Sequence, residues 1–227
     1  MGTLRWYRKN LQRRIALHRA NGPLQDFLIA PFPGPYTLLQ DVDLVAVDIE
    51  TTGLNPRTDS ILNIGMVTVK NGGIHLDTAW QEIIQITNTI PEATTVLHQI
   101  TDDQAATVGK PLSEVLPLVL NRLKSAVLLA HHAHIEQSFL SIVCQRFYGA
   151  PLVIPTIDTM ALMRRYYERI NRPIHAHDLR LFNLRKRYNL PRYRAHNALN
   201  DAVATAELFL AIIADRGGTG YRLRDFC

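Results

Sequence analysis

Residues 44–53 read LVAVDIETTG, a short apolar run in which two acidic residues, Asp48 and Glu50, stand near the end. Alternate residues of a β-strand point to the same face, so these two carboxylates would lie side by side. Burying like charges together is costly unless a cation lies between them, and Mg²⁺ is a hard cation that prefers oxygen ligands. The alternative is that both acids are exposed to solvent on an edge strand. The position of Asp48 between Val47 and Ile49, in an otherwise apolar run, argues against that alternative. The stretch predicts a strand that carries part of a divalent-metal site.

The rest of the pattern predicts strands first and then helices around one further strand. Residues 44–49, 61–70 and 74–84 predict an antiparallel meander, with a turn at residues 71–73, and residues 127–132 (VLLAHH) predict another buried strand. Apolar residues at helical spacing follow in the ranges 135–147, 158–167, 179–188 and 199–213, and short helices are predicted within residues 92–125. This order indicates a mixed α/β domain.

Two further acids stand near predicted helix starts. Glu136 opens the helix after the VLLAHH strand, where an acid often only complements the helix dipole. Asp201 lies five residues after His196, beside the apolar stripe of the last long helix, although an isolated helical Asp is usually solvated. Neither acid is informative alone, but each belongs to a longer motif.

Three motifs together resemble the DEDDh 3′–5′ exonucleases, an RNase H-like family that includes the proofreading epsilon subunit of bacterial DNA polymerase III. The pattern D-x-E-T-x-G is matched by residues 48–53, and H-x-A-x-x-D is matched by residues 196–201. The second motif, usually H-N-A-x-F-D-x-x-F-L, here reads HHAHIEQSFL at residues 131–140, and residues 98–101 (HQIT) are similar to an H-x-I-T segment of the family. The resemblance covers residues 43–214.

The resemblance implies a five-stranded mixed sheet, with three antiparallel strands plus parallel strands, flanked by helices. It also implies hydrolysis of the terminal 3′ phosphodiester with release of nucleoside 5′-monophosphates, using two divalent ions, Mg²⁺ or Mn²⁺. The implied metal ligands are Asp48, Glu50, Glu136 and Asp201, and His196 would take the proton from the attacking water. The implied contacts to the terminal nucleotide are Thr51, Thr52, Gly53, Leu54 and His98.

The second motif departs from the family pattern at His132, Ile135 and Glu136. Glutamate keeps the charge of aspartate but its extra methylene moves the carboxylate by about 1.5 Å on a fixed backbone, the length of a carbon–carbon bond. Mg²⁺ is strict about geometry, whereas Mn²⁺ can be more tolerant. The resemblance still implies DNA hydrolysis in proofreading or repair. RNA 3′-end trimming is one alternative, and binding of nucleic-acid ends without cleavage, because Glu136 replaces the usual aspartate, is another.

The net charge of +5 divides unevenly along the chain. Residues 1–20 carry net +6 and residues 164–194 carry net +8, which leaves net −9 on the remaining 176 residues. Arginines alternate with tyrosines in the second basic segment, which suits a groove that tracks phosphates and stacks bases, and we predict that Arg165 and Arg187 contact the substrate. A solvated charged face is the alternative. A nucleic acid, DNA before RNA, is the expected partner.

The first 40 residues lie outside the resemblance and are predicted to form a basic amphipathic helix followed by a Pro-rich connector over residues 21–40. Leu4, Tyr7, Leu11 and Ile15 line one face of that helix. This face could meet nucleic acid, an anionic membrane or a protein partner such as a DNA polymerase, and we expect it to dock on its own domain. The predicted exonuclease domain is residues 41–216, and residues 217–227 are a tail.

The two cysteines are far apart, at positions 144 and 227, and predict a buried thiol and a terminal one, as fits a reducing cytoplasm. No apolar run is long enough to span a bilayer. The start lacks the apolar core of a secretory signal, although its Arg-rich, acid-free character also resembles an organelle transit peptide. The oligomeric state is left open.

Overall fold

A five-stranded mixed sheet forms the centre of the structure. The structure is a computed structural model, and it describes residues 2–86, 107–193, 196–218 and 220–226. The strands lie in the order β3-β2-β1-β4-β5. The first two pairings are antiparallel, and β4 pairs in parallel with β1 and with β5, which confirms the predicted fold class. Their bounds are β1 Leu44–Thr51, β2 Ile61–Lys70, β3 Gly73–Ile83, β4 Val127–Ala130 and β5 Thr156–Asp158.

Helices cover both faces of the sheet. In the described residues they are α1 Gly2–Leu17, α2 Gly22–Ile29, α3 Leu112–Leu123, α4 His134–Tyr148, α5 Thr159–Arg169, α6 Leu181–Arg187 and α7 Ala198–Asp215. Short 3₁₀ helices occur at Leu39–Asp41, Ala176–Leu179 and Leu223–Asp225. Within residues 92–125, the structure describes α3, and residues 87–106 lie outside the described part of the chain.

Alternation along β1 divides the core into two layers. Val45 and Val47 pack in the layer that contains α2, α3 and α4. Leu44 and Ala46 face the opposite layer, where α7 packs. Asp48 and Glu50 continue the second set, because side chains two apart on a strand share a face. The β1 acids therefore lie on the side of the sheet that α7 covers.

Strand β5 was not identified from the residues themselves. Residues 158–167 are predicted to be helical from Asp158 onwards, but α5 begins at Thr159 and Asp158 ends β5. The Asp158 carboxylate accepts hydrogen bonds from the backbone N–H groups of Met160 and Ala161, so it caps α5 rather than continuing it. A three-residue strand is too short for its period to be recognised.

The predicted docking of the Leu4, Tyr7, Leu11 and Ile15 face on its own domain is wrong, since these side chains are 53–69% exposed. The opposite face of α1 packs instead. Trp6 Nε1 donates to the Pro33 carbonyl, and Ala16 is buried against α2. The Trp6 ring and the small Ala16 side chain allow this face of α1 to pack closely on the domain, so this face is covered and the Leu11 face is exposed.

Helix α2 lies within the segment for which we predicted a connector, which is a second correction. Pro23 stands in the first turn of α2, where its missing N–H costs nothing, and Leu24, Phe27 and Leu28 are buried in the core. At the other end of the chain, Leu223 is fully buried. The segment boundaries at residues 40 and 216 stay a prediction. None of the helices in the described residues is long and apolar enough to cross a membrane.

Candidate active site

Two of the predicted acids lie at the carboxyl end of β1. Glu50 is only 6% exposed and lies opposite Asn63 of β2, while Asp48 lies opposite Gly65. A side-chain carbon at Gly65 would overlap the backbone of Ala198, so the absence of a side chain there lets the start of α7 approach the sheet. The close approach brings the third motif to the first.

The start of α7 carries the third motif. Asn197 caps the helix by accepting a hydrogen bond from the Asn200 N–H, and Asp201 follows in the first turn, 8% exposed. His196 has a left-handed backbone, with φ of 64°, and its N–H donates to Asp201 Oδ2 at 3.0 Å. Side-chain ligand atoms of Glu50, His196 and Asp201 lie within 4.8 Å of one another. Two motifs 150 residues apart thus converge on one point.

Glu136 enters the same cluster from the first turn of α4 and is 3% exposed. Its Oε2 is buried and has no hydrogen-bond partner among the residues that the structure describes. The turn before α4 is held by Asp158, whose two carboxylate oxygens accept the N–H groups of His132 and Ala133, each at 3.1 Å. His132 adopts φ of 68°, a strained backbone for a non-glycine residue, and these bonds stabilise it.

Burial and mutual repulsion raise the pKa values of these acids. For Asp48, burial and then the charges of Glu136, Glu50 and Asp201 raise the pKa well above its ordinary value. Burial is also the main cause that raises the pKa of Glu136 to about 8, with contributions from Asp158 and Glu50. A bound cation would lower both pKa values, because its positive charge favours the ionised carboxylates.

The donors present fit a divalent cation. Glu50, Asp201 and His196 offer two carboxylates and an imidazole within 4.8 Å, and Asp48 and Glu136 add two carboxylates close enough for their charges to repel. One buried carboxylate oxygen, Glu136 Oε2, has no hydrogen-bond partner in the described chain. Carboxylate oxygens suit Mg²⁺ and Mn²⁺, and buried charge of this density calls for compensation. Asp48, Glu50, Glu136 and Asp201 are therefore the carboxylates that could hold metal, with the His196 imidazole beside them.

His131, the first residue of the second motif, has a structural role. Its Nε2–H donates to the Leu179 carbonyl at 2.9 Å, and Nδ1 lies 2.8 Å from Thr159 Oγ1. Burial lowers the pKa of His131 to about 4, so the ring is neutral near pH 7. It joins the end of β4 to α5 and to the 3₁₀ turn at Ala176–Leu179.

The residues predicted to meet the terminal nucleotide form a turn directly after β1. Thr51 Oγ1 donates to the Gly53 carbonyl at 2.7 Å, and Thr52 Oγ1 accepts from the Ser60 N–H. Gly53 lies so close to Asp59 that a side-chain carbon there would overlap the carboxylate. Leu54 is 79% exposed at the tip of the turn. His98 lies outside the described residues.

The contacts of Arg165 and Arg187 are with groups other than the candidate metal ligands. Arg165 Nη2 lies 3.5 Å from the carbonyl of Phe226 near the end of the chain. Arg187 stacks on Tyr166 and Tyr167, and its neighbour Tyr188 contacts Asp215, the last residue of α7. Fourteen residues of helix separate Asp215 from Asp201, a rise of about 21 Å.

Two residues with clear roles near the site were missed in the sequence. Asp158 clamps the start of α4, and its signal was an acid directly before a helical pattern, the mark of a cap. Arg185 was counted within the exposed basic segment, yet it is 1% exposed. No local signal distinguishes it from Lys186 and Arg187.

Five strands in this order, with helices on both faces and a buried acidic cluster beside a histidine, define an RNase H-like α/β fold with a candidate metal site. Residues 45–209 match the exonuclease family RNase_T, and the chain belongs to that family. The predicted resemblance to DEDDh exonucleases is thereby confirmed.

Individual relatives agree with this assignment. DNA polymerase III subunit epsilon of Treponema pallidum is 32% identical over 180 residues, which cover 79% of this chain and 80% of that protein. The PolC-type DNA polymerase III of Thermotoga maritima is 29% identical over 175 residues, 76% of this chain but only 12% of that protein. In fold, the chain is similar to E. coli exonuclease I in a zinc-bound complex with single-stranded DNA, with a TM-score of 0.69 and 17% identity over 82% of this chain and 42% of the other.

Proposed function

We propose that the protein is a metal-dependent 3′–5′ exonuclease that removes nucleoside 5′-monophosphates from the 3′ end of DNA. The observation that carries the proposal is the convergence of Glu50, His196 and Asp201, with ligand atoms within 4.8 Å, beside the half-buried Asp48 and the buried Glu136. The relatives named above support DNA as the substrate, because their names include a DNA polymerase subunit and a complex with single-stranded DNA.

The metal ligands in this proposal are Asp48, Glu50, Glu136 and Asp201, which would hold two Mg²⁺ or Mn²⁺ ions. Bound ions of this kind lower the pKa of a coordinated water and stabilise charge on the attacking and leaving oxygens. The chain supplies the geometry: β1 and the first turns of α4 and α7 hold the carboxylates, and the burial of Glu50, Glu136 and Asp201 limits screening by bulk water.

His196 is the proposed general base. It is exposed, so a water molecule and a nucleic-acid end can reach it, and its backbone N–H is held by Asp201. A histidine is suited to accept a proton near neutral pH, and general-base catalysis typically contributes about 10²–10⁴ in rate. The proton taken from the attacking water would reside on the imidazole until solvent removes it.

The turn after β1 is the proposed contact to the terminal nucleotide. Leu54 offers an exposed apolar side chain that can pack against the last base, and Thr51, Thr52 and Gly53 form the floor beside it. The base of this turn is fixed by the backbone pairing of Thr52 with Ser60, which limits the entropy lost on binding. His98 is proposed only from its motif.

A nuclease assay tests the proposal. Single-stranded DNA and RNA with a 5′ label should be shortened from the 3′ end in Mg²⁺ or Mn²⁺ but not in EDTA, and the Asp48→Asn protein should be inactive. Degradation of RNA but not DNA would show that the protein trims RNA 3′ ends and that DNA is not its substrate. Binding of 3′ ends without cleavage in either metal would identify an end-binding protein and overturn the enzymatic proposal.

The Glu136→Asp variant tests the role of the unusual glutamate. If the longer side chain misplaces its carboxylate for Mg²⁺, the variant should be more active than the wild type in Mg²⁺. If the site is adapted to glutamate, the shorter side chain should lower activity in both metals. Manganese affinity, measured by calorimetry, shows in either case whether Glu136 contributes to metal binding.

A further inference from the structure

Arg185 is a charged residue in the interior of the protein. It lies in α6 and is 1% exposed, whereas its neighbours Lys186 and Arg187 are exposed. Burying a guanidinium is unfavourable unless hydrogen bonds and an opposite charge compensate it, and an apolar side chain would fill the same volume without that cost. The Nε–H of Arg185 is buried and has no hydrogen-bond partner among the described residues, so the compensation comes from the two terminal nitrogens. What Arg185 contacts therefore indicates why the position holds an arginine.

The guanidinium of Arg185 joins three separate segments. Nη1 donates to the Ala204 carbonyl at 2.7 Å, and Nη2 donates to the Pro191 carbonyl at 2.8 Å. Nη2 also pairs with Glu207 Oε2 at 2.7 Å. Arg185 Cζ lies 4.7 Å from the centroid of the Tyr193 ring, and the Tyr193 hydroxyl donates to Glu207 Oε1 at 2.7 Å. The rigid fork of arginine makes these contacts simultaneously, which a lysine cannot do.

The joined segments are those that carry the candidate catalytic residues. Ala204 and Glu207 are on α7, within two turns of Asp201. Pro191 and Tyr193 belong to the segment directly before His196. Arg185 thus holds residues 191–193 against α7, and the His196 N–H is held by Asp201 further along the same connection. The described residues on either side of positions 194 and 195 therefore both have hydrogen-bonded links to α7.

We propose that Arg185 is a positioning residue: by binding residues 191–193 to α7 it keeps the His196 side chain beside Glu50 and Asp201. The inference rests on the function proposed above, because it assigns Arg185 to the support of the general base. Arg185 does not touch the reacting atoms. Small displacements of a catalytic group lower rates steeply, by about 10²-fold for 1 Å.

Arg185→Met is the direct test, since methionine fills the volume but makes none of the hydrogen bonds. We expect kcat to fall about 10²-fold while KM for the oligonucleotide and the affinity for Mn²⁺ stay nearly unchanged. Arg185→Lys should not restore kcat. The matched control is Arg122→Met, because Arg122 also donates to a carbonyl, that of Thr78, and stacks on an aromatic ring, that of Trp80, but on the other side of the domain.

Histidine NMR gives a readout that does not need activity. In Arg185→Met, the His196 ring signals should shift or broaden, while those of His131, which has its own partners in Thr159 and Leu179, should stay in place. If Arg185→Met does not fold, Tyr193→Phe removes a single hydrogen bond of the network and should cause a smaller change of the same kind.

Two results would overturn the proposal. One is an unchanged His196 spectrum in folded Arg185→Met, and the other is a loss of activity that merely follows the loss of folded protein. A wild-type protein without nuclease activity would refute the proposed function instead, and the NMR comparison would still decide whether Arg185 positions His196.

Discussion

Gly65 of β2 lies directly against the backbone of Ala198 at the start of α7, so closely that any side-chain carbon on Gly65 would overlap it. Gly65 is also the residue paired with Asp48 across the strands. The helix that carries Asp201 can therefore reach the strand that carries Asp48 and Glu50 only because this position has no side chain.

Gly65→Ala should separate α7 from the sheet. We expect a loss of stability of about 1–3 kcal/mol from overpacking, and weaker Mn²⁺ binding because Asp201 moves away from Glu50. Urea unfolding and calorimetry measure the two effects. Gly73→Ala is the control, since its new carbon would meet only the Lys70 carbonyl at 3.8 Å. Equal metal affinity in both variants would show that the close approach does not position Asp201.

The metal-free protein should lose stability as the pH rises from about 5 to 8. The folded pKa of Glu136 is raised to about 8, above its value in the unfolded chain, so its contribution is complete at low pH and is lost as the buried carboxylate must ionise. Asp48, whose pKa is raised too, acts in the same direction. Thermal unfolding in EDTA measures this loss.

Divalent metal should reverse that pH dependence, because binding favours the ionised carboxylates and releases protons. The increase in Tm caused by Mn²⁺ should therefore be larger at pH 8 than at pH 5.5. An Asp48→Asn protein should show a smaller increase at both pH values. An increase that does not depend on pH would show that the buried carboxylates are not the ligands.

Asp158→Ala should affect both stability and metal binding. The carboxylate caps α5 and holds the turn before α4, so its removal should cost about 1–2 kcal/mol for the cap and lower Mn²⁺ affinity through the displaced Glu136. Asp225→Ala, which removes the acceptor for the Arg222 N–H on the far part of the chain, provides the comparison. It should reduce stability without a change in metal affinity.

Leu11→Ala and Leu24→Ala should differ sharply in stability, although both residues belong to the first 40. Leu24 is fully buried and its truncation should cost about 2–5 kcal/mol, whereas Leu11 is 59% exposed and its truncation should cost less than about 0.5 kcal/mol. Urea unfolding of the two proteins measures the difference. Similar losses would mean that the outer face of α1 is covered in solution.

Arg165→Ala and Arg187→Ala should weaken binding of long oligonucleotides and leave trinucleotides unaffected. Tyr188, the neighbour of Arg187, contacts Asp215 at the end of α7, about 21 Å along the helix from Asp201, a span of about six nucleotides at 3.4 Å each. The salt dependence of binding to a 12-mer should become less steep by about one unit for each arginine removed. An unchanged salt dependence would show that both side chains belong to a solvated charged face and do not contact the oligonucleotide.

The first three strands, the long helices and the acidic motifs can be predicted from the sequence alone, because these depend on local periods and on motifs of a few residues. Residues 48–53 and 196–201 were identified as parts of one site without any knowledge of their distance, and the structure brings Glu50, His196 and Asp201 together. The strand at residues 156–158 was missed because three residues show no period.

The sequence does not show which surfaces of these elements are covered, because that depends on their packing in three dimensions. Leu11 belongs to an apolar helix face, a pattern that predicts burial, yet it is exposed. Arg185 and Arg187 stand in the same basic run and look alike in the sequence, yet Arg185 is buried and Arg187 is exposed. Burial depends on which distant segment packs against a side chain. Helix α2 packs against the Ala16 face of α1, and Pro191 accepts a hydrogen bond from the buried Arg185. A local pattern shows that a helix has two different faces, but the packing partner determines which face is buried.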